Sequence, residues 1–275
     1  MLDPRELLKE ALKRGIVPKK SLGQHFLLDK KMAQRIVREA GISPEDAVLE
    51  IGPGLGSLTF ALLEKAKAVV AVELDSRLAS FLREKAQGLP LEVVEGDFLR
   101  IDLSQLFSRY GRLKAVGNLP YGVSTEILFK LLQAHRYFED ITLMFQWEVA
   151  QRIVSPPGTK RYGALSVTVR LFSEPRLLFR VPRGAFWPRP EVQGGVVRFR
   201  LHEQPKGDIE TMKGLLEGLF SSRRKTILNA LLRVGYGPRE RIRSLLERAS
   251  IDPMRRPETL SLEEYLALAE SLKEV

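Results

Sequence analysis

Along the first half of the chain, short apolar runs alternate with segments whose apolar positions recur every three or four residues. AVLEI (47–51), AVVAVEL (68–74), LEVV (91–94), LKAV (113–116) and ITLMF (141–145) read as buried strands. Between them, SLTFALLEKA, SRLASFLREKA and TEILFKLLQAH carry helical spacing. This rhythm predicts an α/β fold with a mostly parallel, doubly wound sheet and helices on both faces. LSVTVRLF (165–172) and GGVVRFRL (194–201) have no helical pattern between them and are expected as an antiparallel edge. After Leu201 the character changes: HEQPKGD reads as a linker, and IETMKGLLEGLF, KTILNALLRVG, RERIRSLLERA and LEEYLALAESL read as helices. The expected organisation is an α/β domain over residues 1–203 and a small C-terminal all-α domain over 204–275. PRELLKEALKRG near the start is amphipathic, most simply a packing helix, with a grip on RNA as the alternative.

Composition narrows the chemistry. The chain has 275 residues, 44% of them hydrophobic, enough to bury a sizeable core. There is no cysteine, which excludes disulfides, a thiolate nucleophile and Cys-ligated metal; the three histidines (His25, His135, His202) form no spaced ligand cluster, and no metal is expected. No run approaches the roughly 20 apolar residues of a membrane span. The first 31 residues mix charge and leucine without a signal-peptide block, so no membrane partner and a cytoplasmic location are expected. The net charge of +10 is unevenly placed: residues 1–150 hold 21 Lys/Arg against 20 Asp/Glu, residues 151–200 hold 10 against 2, and residues 221–256 hold 10 against 3. A basic stripe of this kind suits a polyanion such as RNA, the alternative being solvated arginines on helix faces.

Three strand ends carry a ligand pattern. LEIGPGLGSLT (49–59) places Gly52, Gly54 and Gly56 between a strand and a helix, where a backbone without Cβ approaches a ligand at the helix N-terminus. The spacing G-x-G-x-G departs from the dinucleotide pattern G-x-G-x-x-G, since Ser57 stands where the third glycine belongs. Glu73 ends the next strand, suited to accept both ribose hydroxyls, and Asp97 in VEGDF ends the third, suited to accept from an adenine amine. Together these make a nucleoside pocket, a plain helix–strand turn being the alternative for the loop alone. NLPY (118–121) ends the fourth strand beside it. The Asn118 side-chain oxygen and the carbonyl before Pro120 are acceptors for one planar amine, and Tyr121 offers a face for a base. Accepting both N–H bonds of an exocyclic amine helps its nitrogen become tetrahedral as it attacks. The alternative is a turn with an Asx cap and a core tyrosine.

The same residues resemble known families. G-x-G-x-G with an acidic residue on the next strand is similar to the class I S-adenosylmethionine methyltransferases, and N-L-P-Y to those that methylate exocyclic amines. KKSLGQHFLLD (19–29), QWEVAQRI (146–153), FWPRPEV (186–192) and FSSRRKTILNAL (220–231) extend the likeness over nearly the whole chain. In these stretches it resembles the small-subunit ribosomal RNA adenine N6,N6-dimethyltransferases of the KsgA/RsmA type. The resemblance implies a Rossmann-like class I methyltransferase sheet and two methyl transfers to each of two adjacent adenosines in a hairpin near the 3′ end of 16S rRNA. S-adenosyl-L-methionine is the implied cofactor, S-adenosylhomocysteine the product, and transfer is by direct in-line displacement. It places Gln24, His25 and Leu27 at the methionine end, with Gly52 and Gly54, Glu73 at the ribose and Asp97 at the adenine, and counts Leu74, Phe98 and Asn118 among the cofactor-binding residues. Asn118, Leu119, Pro120 and Tyr121 are implied to hold the target adenine, with Phe186 over its other face, and Arg223, Arg224 and Lys225 to bind RNA. His25 stands where many members carry Asn. The implied partner is 16S rRNA within a pre-30S subunit, with a role in 30S biogenesis and a monomeric protein. Two other readings stay open: a large-subunit rRNA adenine methyltransferase, disfavoured by the helical domain, and an assembly factor that binds RNA without turnover.

Overall fold

A computed structural model describes residues 2–273. Its described residues divide into two compact units: one up to Ala150 together with Arg176–Leu201, the other Gln151–Pro175 together with the residues from His202 on. The second unit is therefore discontinuous in sequence.

The first unit is built on strands β1 (Phe26–Leu27), β2 (Ala47–Ile51), β3 (Ala68–Glu73), β4 (Leu91–Glu95), β5 (Leu113–Asn118) and β6 (Phe138–Gln146). They are followed by β7 (Ser173–Val181), β8 (Phe186–Trp187) and β9 (Gly194–Leu201). Its helices are α1 (Pro4–Lys13), α2 (Lys30–Glu39), α3 (Ser57–Leu63), α4 (Ser76–Lys85), α5 (Leu103–Tyr110) and α6 (Ser124–Gln133); α7 (Trp147–Val154), after β6, begins in this unit and has its last four residues in the second. Seven strands form one sheet in the order β4-β3-β2-β5-β6-β9-β7. The strands from β4 to β6 are parallel, and β9 runs antiparallel to β6 in the register Leu143↔Val197. Val48, Leu49, Val69, Val70, Ala71 and Val116 are fully buried, as central strands covered on both faces require.

Strand order turns back at β2. From there the chain steps outward to β3 and β4, then returns to the other side of β2 to lay down β5, with Ile51 opposite Gly117. The loops leaving β2 and β5 thus diverge and open a crevice at the carboxyl ends of the strands, where such sheets take ligands. Helix starts are fixed locally: Asp29, Asp75 and Asp102 cap α2, α4 and α5 by accepting amides of Met32, Arg77 and Ser104 at 3.0, 3.2 and 2.9 Å, each cap contributing about 1 kcal/mol. Helix α1 is a packing element here: Leu7 and Ala11 lie with Phe26, Leu55, Phe60 and Phe81 in one apolar cluster.

In the second unit, α8 (Ala164–Phe172) accompanies α9 (Ile209–Ser221), α10 (Ile227–Val234), α11 (Arg239–Arg248) and α12 (Leu262–Lys273). Leu215, Leu219, Ile227, Leu231, Ile242, Leu245 and Leu268 form its interior. Tyr162 and Tyr265 flank Phe220, each with its hydroxyl donating to a carbonyl, Leu260 at 2.9 Å and Pro257 at 2.7 Å.

One expected strand is a helix. LSVTVRLF forms α8, and the strand follows it as β7, whose SEPRLLFRV was not read as one. Val167, Thr168 and Val169 favour a strand intrinsically, but local hydrogen bonds and packing override them. Ser166 Oγ accepts the Gly163 N–H at 3.1 Å at the helix start. Arg170 then donates to the carbonyls of Ser166 (2.7 Å), Ile153 (3.1 Å) and Val154 (2.9 Å), which holds the helix against the end of α7.

Candidate active site

The crevice predicted by the topology is a cleft of about 210 Å³ in the first unit. Gln24, His25, Leu27, Gly52, Gly54, Glu73, Leu74, Asp97, Phe98 and Asn118–Tyr121 all line it. Residues as far apart in sequence as Gln24 and Tyr121 therefore line one cleft.

The glycine loop works by close approach. Gly54 has φ +57°, and a Cβ there would come within 2.9 Å of the Phe26 ring. Its N–H donates to Glu73 Oε2 at 3.0 Å, while the Asp75 N–H donates to Oε1 at 2.9 Å. Glu73 is thus pinned by two backbone donors and keeps lone pairs on both oxygens for further donors, which is what a vicinal diol supplies. Burial pushes its carboxyl up, and the two amides pull it back. On the third strand end, Asp97 accepts the Leu99 N–H at 2.9 Å and caps a 3₁₀ turn, Phe98–Arg100. Leu74, more than half exposed, offers an apolar face beside it.

Asn118 is oriented by a single bond. Its Nδ2 donates to the His25 carbonyl at 3.0 Å, so Oδ1 is the atom left to accept. His25 Nδ1 lies 2.7 Å from the Pro188 carbonyl; a carbonyl only accepts, so Nδ1 carries the hydrogen. The Tyr121 ring sits 5.8 Å from the imidazole, and its hydroxyl is buried without a partner, which raises it to about 12.

Gln24 reaches the cleft wall with its side chain already engaged. Its Oε1 accepts the Lys19 N–H at 2.7 Å and its Nε2 donates to Asp75 at 3.4 Å. Asp75 is buried and also takes Arg77 at 2.6 Å and Lys19 at 3.3 Å, and the Arg77 bonds foremost hold it well below the usual carboxylate range. This cluster fastens residues 19–24 to the start of α4. Phe186 does not line the cleft: it is buried on the β1–β8 ribbon, where it pairs with Leu27 and packs with Ile36 and Ala185. The aromatic rings that do line the cleft include Tyr121, Phe26 and Phe98.

Two features of the site were not read from sequence. Glu50, 1% exposed on β2, lines the cleft, and its Oε2 has no hydrogen-bond partner; Ser57 Oγ nearby in the chain is also buried and unpartnered. Burial pushes the Glu50 carboxyl up to about 8, with Glu73 adding to the rise. The signal was a carboxylate inside an apolar strand directly before the glycine loop. The second feature is Lys130 on α6, whose Nζ donates to three carbonyls of the turn after Asp97.

In the second unit, Arg224 and Lys225 are exposed. Arg223 is held by the fold: its guanidinium pairs with Glu258 at 3.0 Å and donates to the carbonyls of Lys160 and Tyr162 at 3.1 and 3.4 Å. Among the described residues no group of three or more His, Cys, Asp or Glu has the geometry to hold a metal, and no helix is long and apolar enough to cross a membrane.

A cleft that joins glycine-loop amides to the Glu73 and Asp97 carboxylates offers the acceptors that a nucleoside needs. The chain is 42% identical to a ribosomal RNA small subunit methyltransferase A from Pelotomaculum thermopropionicum, over 96% of this chain and 95% of that one. Among solved structures it resembles a dimethyladenosine transferase from Plasmodium falciparum (TM-score 0.79, 27% identity, 91% of this chain and 98% of that one). It also resembles the 23S rRNA methyltransferase ErmE (TM-score 0.71, 32% identity, 90% and 99%). The sequence model described as ribosomal RNA adenine dimethylase matches residues 17–274, and with that match over nearly its full length the chain belongs to the ribosomal RNA adenine dimethylase family.

Proposed function

We propose that the cleft binds S-adenosylmethionine against Glu73 and Asp97 and presents it to an adenine held at Asn118–Tyr121. The protein is an S-adenosylmethionine-dependent rRNA adenine dimethyltransferase acting on small-subunit rRNA. Identity favours the small subunit over the large: 42% to the small-subunit enzyme against 32% to the 23S enzyme. The observation that carries the reading of the site is the orientation of Asn118, whose amide nitrogen is tied to the His25 carbonyl at 3.0 Å and whose oxygen is left for a donor.

The residues present fit the cofactor. Glu73 retains acceptor capacity on both oxygens for a ribose. When bound, S-adenosylmethionine supplies an electrophilic methyl group on a sulfonium. The remaining work belongs to the chain. Asn118 Oδ1 accepts one N–H of the target amine and so favours the tetrahedral nitrogen of the transition state. Tyr121 limits the base to one plane, and Pro120 fixes the chain between them. No general base is required, because the methylated amine is cationic and releases its proton to solvent. A second transfer uses the N–H that remains. A stacked adenine cannot reach such a cleft, so the target is a splayed base in single-stranded RNA. In the second unit Arg224 and Lys225 hold flanking phosphates, while Arg223 supports the fold. The protein acts as a monomer in the cytoplasm on a pre-30S particle.

The test is methyl transfer from labelled S-adenosylmethionine to undermethylated 30S subunits, with mono- and dimethyladenosine resolved after digestion. Dimethyladenosine in 16S rRNA is expected. RNA binding without transfer would instead make the protein an assembly factor.

A further inference from the structure

Helix α6 begins three residues after Tyr121, so it is the direct continuation of the loop assigned to the target base. Its first turn contributes Val123 and Ile127 to the cleft wall. One turn further on, Lys130 leaves the helix toward a different part of the site. Its ammonium donates to the carbonyls of Phe98 (2.8 Å), Leu99 (3.0 Å) and Ile101 (2.6 Å) and lies 5.3 Å from the centre of the Phe98 ring. All three of its N–H donors are used on one short segment.

That segment is the turn after Asp97. Its N-terminal end is closed by the Asp97 carboxylate accepting the Leu99 N–H, and Lys130 takes the carbonyls of Phe98 and Leu99 within the turn and of Ile101 just after it. Asp97, Phe98 and Leu99 line the cleft. A 3₁₀ turn of three residues has little stability of its own; without Lys130 its last carbonyls have no cationic partner and its backbone is free to shift. Such a shift would carry Asp97 and Phe98 with it. Burial lowers the ammonium from its usual value, against the pull of Asp97 and Asp102.

We propose that Lys130 is a positioning residue for the cofactor's adenine, a strut from the helix that carries the target-base loop to the turn that carries Asp97. It touches neither substrate. It fixes the adenine end of the cleft and makes that end rigid with respect to α6, so that a cofactor seated on the turn also steadies the start of α6. The inference rests on the reading of the cleft as the S-adenosylmethionine site.

The experiment compares wild type, Lys130→Met, Lys130→Arg and Glu73→Ala by calorimetric titration with S-adenosylmethionine and with adenosine, and by kinetics on undermethylated 30S subunits. Lys130→Met is expected to weaken both ligands by a similar factor, about tenfold, because the lesion lies at the adenine. At saturating cofactor its kcat should stay within about threefold of wild type. Lys130→Arg, which still donates, should recover most of the affinity. Unchanged affinity in a folded Lys130→Met protein, or equal losses in kcat and KM, would overturn the proposal, since a merely structural residue gives that result. If Lys130→Met does not fold, Lys130→Gln, with a shorter side chain and one amide donor, carries the same comparison. Should Glu73→Ala weaken binding while the Lys130 variants do not, the strut alone is wrong; if neither affects binding, the cofactor lies elsewhere.

Discussion

At the carboxyl edge of the sheet, buried polar groups are left with unused hydrogen-bonding capacity, whereas in the helical unit Arg223 of the most motif-like stretch is taken up by the fold while Arg224 and Lys225 beside it stay exposed. Glu50 Oε2 and the Tyr121 hydroxyl are buried without partners, and Asn118 keeps its oxygen. In the helical unit, Arg223 is bound to Glu258 and two carbonyls, and Arg255 to Glu264 and Thr259. Leaving a buried polar group unpaired costs about 1–3 kcal/mol. A fold tolerates several of them in one cleft where a ligand will pair them. Charge on a helix follows no such rule, and the motif alone does not separate an arginine that holds RNA from one that holds the chain.

The contrast gives predictions of falling size. The largest concerns Glu73: removing its carboxylate strands the Gly54 and Asp75 amides and deletes the ribose acceptor, so Glu73→Ala should weaken S-adenosylmethionine by at least a hundredfold in calorimetry. A tenfold or smaller loss would move the ribose away from this residue.

Glu50 comes next and is read through pH. Its native value, about 8, lies above the 4.5 of an unperturbed Glu. The native state therefore holds the proton more tightly, and the stability this provides is complete below about 4.5 and lost as pH rises through 8. For the cofactor-free protein, Glu50→Gln should remove roughly 3–5 kcal/mol of the stability lost between pH 5 and pH 9, measured by urea unfolding at both. Parallel pH profiles in the two proteins would show that Glu50 is not the group responsible.

Smaller effects separate the arginines. Arg223→Ala should cost about 1–2 kcal/mol of stability, since it breaks a partly exposed ion pair and uncovers two carbonyls. Arg224→Ala and Lys225→Ala should leave stability within about 0.5 kcal/mol and instead lower the salt slope of RNA binding by roughly one ion each. A reversed pattern, with Arg223 governing the salt slope, would mean that its pair with Glu258 opens on RNA.

Much of this was legible in the sequence, for definite reasons. AVLEI forms β2 over the same residues as read, because a continuous apolar run bounded by glycine has one good solution in a parallel sheet. The three strand ends read as binding a ligand line one cleft, because successive β-α-β units lay their strands parallel and bring their carboxyl ends to one edge. Helix α8 was misread: its β-branched residues speak for a strand, and the bonds from Arg170 that decide against one reach back sixteen and seventeen residues. Arg223 looked free because Glu258 is 35 residues downstream. Glu50 was visible as a charge in a strand, but its unpaired oxygen depends on where the side chains of the following helix fall. Phe186 followed from resemblance alone, and the cleft wall does not include it.

The central claim is that Asn118 serves the target amine at the point where the cofactor and base ends of the cleft meet. The most direct test is Asn118→Ala, assayed for S-adenosylmethionine affinity and for single-turnover methyl transfer to undermethylated 30S subunits. The account predicts transfer slowed by about 10²–10³-fold, the usual effect of removing one transition-state hydrogen bond, with cofactor affinity changed by less than about tenfold. Transfer at the wild-type rate would contradict it.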